Sequence, residues 1–361
     1  MGKKKGSKPY YGPKKQKVTI KQLSEEEIQK EKKRRMNVSK NATIASIIIV
    51  ISCLAAFLGR WCYSVGNNYF AVFFQHSEST EQALEVIDGL TVSGLEAEEM
   101  LQLEENWDYF KGSRLGDSVT MTASDGSTLH AVLYNSGSDR TLIVLQQFDS
   151  DSTSDFLPGA ALYEEYGCNI LLVDARMHGE SGGDFYSYGY HEQQDLADWI
   201  AWTDETLGKQ TYLIWGIASG ANTALFADAN SLLSADNVAG IVAESPYGSL
   251  HELAWDNMFK WYTLPAVPFL YAIEFRLSIS KADFGASDLK LANVIGDTDS
   301  GIPVLFLYST GDEFISSDYS IELYNVFPDT KGVVVGTGSH GTVYTTQQEE
   351  VESWIRENVM F

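Results

Sequence analysis

A tight turn between a buried strand and a helix of small residues constrains the fold of this chain more than any other feature. The apolar run at 211–215 predicts a buried strand, and the run at 221–227 predicts a helix whose small side chains pack closely on a sheet. Between them lies Gly216-Ile217-Ala218-Ser219-Gly220. Glycines two residues before and after the centre relieve crowding between strand and helix, while the central residue takes a strained backbone angle. The sequence therefore predicts Ala218 at the apex of the bend.

The charges divide the chain into two regions of opposite sign. Residues 1–42 carry 14 Lys and Arg against 4 Glu, whereas the residues beyond them carry 12 basic and 45 acidic side chains. Between Lys40 and Arg60 lie 19 residues without a charge. That length fits a membrane span, which needs about 17 to 25 residues. Because the basic residues precede the span, we expect the tail in the cytoplasm and the acidic body outside the cell, in a single-pass protein.

Other interpretations of this N-terminal region stay open. A cleaved signal peptide would also contain an apolar run, but its basic region is much shorter than the one here. Residues 50–53 resemble a bacterial lipoprotein cleavage site, although the apolar run continues through Leu58. The basic tail fits attraction to anionic lipid headgroups, and with no recognition motif beside it we expect no nucleic-acid partner. The membrane is the predicted partner of this helix.

The rest of the chain alternates strand and helix patterns. An antiparallel hairpin is predicted from Val119–Thr122 and Leu129–Tyr134, with its turn at Asp125-Gly126. Further strands are expected near 141–145, 170–173, 211–215, 240–243, 303–308 and 332–335, with a helix near 156–166 and a last helix at 347–358. This alternation predicts an α/β fold with a mostly parallel, doubly wound sheet. The expected organisation is a basic tail at 1–40, a transmembrane helix at 41–59, an acidic helical connecting segment at 60–114 and a domain at 115–361.

The cysteines and histidines predict neither a disulfide framework nor a metal site. Cys53 and Cys62 lie in or beside the span, and Cys168 precedes a predicted core strand. The six histidines are scattered, and no pair of cysteines stands near any of them. We therefore expect no metal and no cofactor.

Three motifs carry a resemblance to a known family. Residues 174–183 match the loop pattern D-x-R-x-H-G-x-S-G-G, residues 303–315 are similar to a strand followed by G-x-x-D-x-x-V-P, and Gly338-Ser339-His340-Gly341 precedes the last helix. Together with the 216–220 turn, the segment from about 115 to 358 resembles the α/β-hydrolase superfamily, near bacterial esterase and serine peptidase-like relatives. The resemblance implies the α/β-hydrolase fold with a small helical cap at about 247–300. His178 is interpreted as structural.

The same resemblance assigns roles to the candidate site residues. In the chain order nucleophile, acid, base, Ala218 takes the nucleophile position, Asp312 the acid and His340 the base. The oxyanion donors would be the backbone amides of Phe148 and Ser219. Ser316 departs from the proline usual after this acid, and Gln146-Gln147 departs from the usual His-Gly pair. The side chain of Gln147 would lie where backbone must approach a substrate.

A methyl group at Ala218 has no lone pair with which to attack a carbonyl group. Loss of the nucleophile lowers turnover of a serine protease by about a million-fold, so we expect an impaired hydrolase whose cleft keeps a small acyl or peptide ligand, or a protein partner. An active ester or amide hydrolase remains the alternative, using Ser219 or a water activated by Asp312 and His340. A structural membrane protein with a relic cleft is a third hypothesis. Aromatic residues of the cap region line the cleft or pack its helices, namely Trp255, Phe259, Trp261, Tyr262, Phe269, Tyr271 and Phe275.

Overall fold

The computed structural model describes most of the chain. The described residues are 24–75, 110, 115–148, 162, 165–261, 276, 282, 284–285, 287–295, 300–327, 331–359 and 361. The first part of the basic tail, most of the acidic connecting segment, most of the helix expected near 156–166, and the cap aromatics from Tyr262 to Phe275 lie outside the described residues. The chain divides into two compact units, residues 1–60 and 61–361.

A single long helix, α1, contains the predicted span. It runs from Glu25 to Phe74 over 50 residues. The most apolar 18-residue window within Glu25–Asn67 has a mean hydropathy of 2.5, and none of that window is buried. Ile49, Ile51 and Phe57 are 60–62% exposed, as suits side chains in contact with lipid. The helix is therefore long and apolar enough to cross a membrane.

Eight strands form one mixed sheet, and the strands predicted from the sequence are confirmed. Their order across the sheet is β1-β2-β4-β3-β5-β6-β7-β8. β2 pairs antiparallel with β1 and β4, and the pairs from β4 through β8 are parallel. The strands are β1 (Asp117–Thr122), β2 (Thr128–Tyr134), β3 (Arg140–Leu145), β4 (Asn169–Val173), β5 (Thr211–Ile217), β6 (Val238–Glu244), β7 (Val304–Ser309) and β8 (Lys331–Gly336).

Helices cover both faces of this sheet. They are α2 (Glu192–Leu207), α3 (Ser219–Ala229), α4 (Leu250–Trp261), α5 (Ser317–Val326), α6 (Val343–Thr346) and α7 (Gln348–Asn358). The inner strands are buried on both faces, which explains why they are continuous apolar runs rather than alternating ones. On β5, Ile214 joins a core cluster with residues of α2 and α3, whereas Trp215 joins the opposite cluster with residues of α4 and α7. The result is the doubly wound architecture predicted from the sequence.

The last turns of α1, from Trp61 onward, belong to the same compact unit as the sheet and contribute to its core. Val65 and Phe70 are 3% exposed and Phe74 is 0% exposed, and all three belong to one of the two core clusters. The Phe74 carbonyl accepts a hydrogen bond of 2.8 Å from the Tyr186 amide. The sequence placed these residues in a connecting segment, but their side chains fill the core of the unit that begins at Trp61.

Candidate active site

The bend between β5 and α3 has the geometry predicted from its glycines. Ala218 has φ 50° and ψ −111°, a conformation that L-residues rarely adopt. A Cβ on Gly216 would lie 2.4 Å from the backbone of Gly220, and a Cβ on Gly220 would lie 2.2 Å from the Leu145 carbonyl oxygen. Only glycine therefore fits on either side of the apex. The structure places Ala218 at the apex with 4% of its surface exposed.

Asp312 and His340 come together at the carboxyl ends of β7 and β8. The Nδ1 atom of His340 lies 2.7 Å from Oδ2 of Asp312, and each side chain is 1% exposed. Asp312 Oδ1 accepts hydrogen bonds from the amides of Phe314 and Ile315, at 2.8 and 2.7 Å. Ser245, which follows β6 with φ 48°, donates its hydroxyl to Asp312 Oδ2 at 3.1 Å. The carboxylate is thus held by four donors.

These contacts favour the charged form of Asp312. Burial by itself raises the pKa of this carboxyl group, but the charge of His340 and the hydrogen bonds from His340, Ile315 and Phe314 outweigh it, so that the pKa of Asp312 is lowered from its ordinary value. An ionised Asp312 accepts the Nδ1 proton of His340. The imidazole is therefore held with Nδ1 toward Asp312, which leaves Nε2 on the side of the ring away from the carboxylate.

The Nε2 atom of His340 is already engaged by the chain itself. It lies 2.9 Å from Oε1 of Gln147, a residue 193 positions away that follows β3. Nε2 donates to Oε1 of Gln147 when it carries a proton, and accepts from the amide nitrogen of Gln147 when it does not, so the contact uses the Nε2 atom in both cases. In an active triad this atom bonds to the hydroxyl of the nucleophile. Here the same atom bonds to the Gln147 amide.

Ser219 is turned to the 146–148 loop. Its Oγ accepts a hydrogen bond of 2.7 Å from the Phe148 amide, and the residue is 1% exposed. The Phe148 amide is the group that the sequence assigned to the oxyanion site. In this arrangement the Phe148 amide donates to the Ser219 hydroxyl, so its hydrogen-bonding requirement is met within the protein.

Aromatic side chains pack around the elbow. Phe148 lies 5.4 Å from Tyr186 and 5.2 Å from Tyr188 between ring centroids, and its ring lies 5.6 Å from His178. His178 Nδ1 is 2.8 Å from the Arg176 carbonyl oxygen, a contact that fits the structural role predicted for it. Ala218 belongs to the same apolar cluster. Among the expected cap aromatics, Trp255 on α4 is 41% exposed.

Comparison with solved structures identifies the fold. The chain superposes on the esterase Pf2001 of Pyrococcus furiosus with a TM-score of 0.54, at 21% identity, covering 68% of this chain and 92% of that one. This is the α/β-hydrolase fold. The α/β hydrolase GrgF of Penicillium sp. sh18 superposes with a TM-score of 0.51 at 17% identity, covering 68% of this chain and 99% of that one.

Sequence comparison gives one relative of note. Protein YqkD of Bacillus subtilis is 28% identical over 199 residues, which make up 54% of this chain and 63% of YqkD. The chain therefore spans less than two thirds of the length of that relative. No family model matches the sequence.

Several features of the site could not be found from motifs. The sequence marked Gln147 as a departure, but nothing in it indicated that the side chain reaches His340. Ser245 lies outside the three family motifs and was not predicted as a site residue. What marks it in the sequence is its position between a buried strand and Pro246. Ser316, noted as a departure, caps α5 by accepting a hydrogen bond from the Asp318 amide.

Proposed function

We propose that this α/β-hydrolase-fold protein is anchored in a membrane by α1 and does not run covalent hydrolase chemistry at its elbow. Its role is the binding of a small acyl or peptide ligand, or of a protein partner, at the former substrate cleft. The observation that carries this proposal is the contact between Gln147 and Nε2 of His340 at 2.9 Å.

That contact competes for the nitrogen that a general base would use. A catalytic histidine must take a proton from the attacking hydroxyl or water with Nε2. In this protein Nε2 is bonded to Gln147, and the apex of the bend carries only the methyl group of Ala218. The Oγ atom of Ser219 is directed at the Phe148 amide, 2.7 Å away, so Ser219 is a poor replacement for the missing hydroxyl. The alternative of an active hydrolase therefore has less support than binding.

The aromatic residues packed around Phe148, whose amide bonds to Ser219 at the bend, support a binding role. Phe148 is half-buried and packs on Tyr186 and Tyr188, in the same cluster as Ala218 and Phe284. Concave sites lined by aromatic side chains, with a few polar groups, are typical ligand pockets. A ligand with an acyl chain or an apolar peptide side chain matches this lining.

Activity and binding can be separated on the full-length protein in detergent. We expect no hydrolysis of p-nitrophenyl esters that depends on His340 and no fluorophosphonate labelling of Ser219. A panel of fatty acids and short apolar peptides should contain a compound that raises the Tm of the wild type but not that of Phe148→Ala. Ester turnover that disappears in both His340→Ala and Ser219→Ala would overturn the proposal.

Anchoring and orientation have their own test. Protein produced in bacterial cells should stay with the membrane fraction after a carbonate wash. Protease added outside intact cells should digest the domain and leave the tail protected. Recovery of a soluble full-length chain would contradict the anchor.

A further inference from the structure

A second serine, histidine and aspartate arrangement lies away from the elbow. The Oγ atom of Ser118 is 2.9 Å from Nε2 of His130, and Nδ1 of His130 is 2.6 Å from Oδ2 of Asp174. This is the connectivity of nucleophile, base and acid in a catalytic triad. The His130 and Asp174 side chains are 5% and 12% exposed, whereas Ser118 is exposed.

The sheet register explains how these residues meet. On the antiparallel pair of β1 and β2, Ser118 lies opposite Val132 and Thr120 lies opposite His130. Ser118 and His130 are therefore diagonal neighbours on one face of the sheet, within reach of a long side chain. Asp174 follows β4, and its amide donates to the His130 carbonyl oxygen at 3.1 Å.

The loop after β4 holds the acid in place. Ser181 Oγ accepts from the His130 amide at 2.8 Å and donates to the Asp174 carbonyl oxygen at 2.7 Å. The Glu180 amide donates to Asp174 Oδ2 at 2.9 Å. A Cβ on Gly179 would lie 2.1 Å from that same oxygen, so glycine is needed there. The carboxylate is thus positioned independently of Ser118.

The protonation pattern follows from these contacts. An ionised carboxylate at 2.6 Å from Nδ1 fixes the ring proton on Nδ1, which leaves the lone pair on Nε2. Nε2 then accepts the hydroxyl proton of Ser118, as the base of a triad does. Ser118 lies on β1, one of the two edge strands of the sheet, and is exposed, so that a substrate in solution can reach its hydroxyl.

We propose that Ser118 is a nucleophile that accepts acyl groups from activated carboxylic esters. Ser118 Oγ attacks the carbonyl carbon and forms the new C–O bond, while its proton passes to Nε2 of His130. The bond from the acyl carbon to the leaving oxygen breaks, and the alcohol leaves with that proton. Water then attacks the acyl carbon, gives one proton to His130, and releases the carboxylic acid as the proton returns to Ser118 Oγ.

Labelling of the full-length protein in detergent tests this proposal. A fluorophosphonate probe, followed by peptide mapping, should modify Ser118. The label should be lost in Ser118→Ala and should form at least about 100-fold more slowly in His130→Gln, because general-base assistance contributes at least that factor. Ser124→Ala is the matched control, since Ser124 is an exposed serine of the same hairpin that lies outside the trio, and its labelling should equal that of the wild type.

A thiol measurement keeps the proposal testable if His130→Gln fails to fold. In Ser118→Cys the imidazole lowers the pKa of the thiol, so alkylation by iodoacetamide at neutral pH should be at least about 10-fold faster than in Ser124→Cys. Equal rates in the two cysteine variants, or the absence of label on Ser118, would overturn the proposal. Label on Ser219 alone would overturn it and the proposed function together, whereas label on Ser118 alone leaves the proposed function at the elbow intact.

Discussion

Replacing Gln147 tests whether this side chain prevents hydrolase activity at the bend formed by residues 216–220. The perturbation is a pair of substitutions, Ala218→Ser alone and Ala218→Ser combined with Gln147→Gly. The first supplies the hydroxyl at the apex, where φ is already 50°. The second frees Nε2 of His340 from the contact at 2.9 Å and removes the side chain beside the Phe148 amide.

The expected difference follows from the strength of one hydrogen bond. A hydrogen bond between neutral groups contributes about 0.5 to 1.5 kcal/mol. In Ala218→Ser the new hydroxyl must displace Gln147 before His340 can act as the base. Because about 1.4 kcal/mol corresponds to a factor of ten, the double variant should turn over about 2- to 12-fold faster than Ala218→Ser.

Hydrolysis of p-nitrophenyl acetate, measured as kcat/KM, is the assay. Gln147→Gly alone should give no gain, because it lacks the nucleophile. The double variant carrying His340→Ala measures any chemistry elsewhere on the chain, and its rate is subtracted. Equal rates for Ala218→Ser and the double variant, with both proteins folded, would refute the idea that Gln147 blocks the base.

Three further predictions concern stability and are measured by urea unfolding. Gly216→Ala should lower the free energy of unfolding by about 3 kcal/mol or more, because the new Cβ would lie 2.4 Å from the backbone across the turn. Gly248→Ala is the control and should leave the free energy of unfolding unchanged, since its Cβ would have its nearest contact at 3.8 Å. Asp195→Asn should lower the free energy of unfolding by about 3 kcal/mol. It breaks the buried bidentate ion pair with Arg176, at 2.5 and 2.6 Å, and removes one of the negative charges that compensate the buried guanidinium. The hydrogen bond from Arg176 lowers the pKa of Asp125 from 3.8 to about 2, so its stabilising contribution is present above pH 4 and lost as the pH falls toward 2. Asp125→Asn should flatten the loss of stability over that interval; an unchanged acid profile would contradict this assignment.

The features that the sequence predicted are those fixed by local physics. Buried strands are continuous apolar runs, and the hairpin has its turn glycine at Gly126. The glycines of the elbow were predictable because the close approach of strand and helix excludes any Cβ there. Side-chain partners across long separations were not predictable in the same way. The contacts of Gln147 with His340 and of His130 with Asp174 join residues 193 and 44 positions apart. They depend on the strand order, which brings residues that follow β3 and β8 together and sets the start of β2 beside the end of the antiparallel β4.

The burial of the last turns of α1 restricts where the domain can be separated from its helix. Phe74 is fully buried, and its ring packs 5.6 Å from Tyr188 and 6.1 Å from Phe284. A protease that cuts before Trp61 would release a domain with a full core. A cut after residue 75 would let the helix end dissociate, and loss of one buried phenylalanine side chain alone costs about 3 to 5 kcal/mol. A cut downstream of that point would therefore leave a domain that is prone to unfolding.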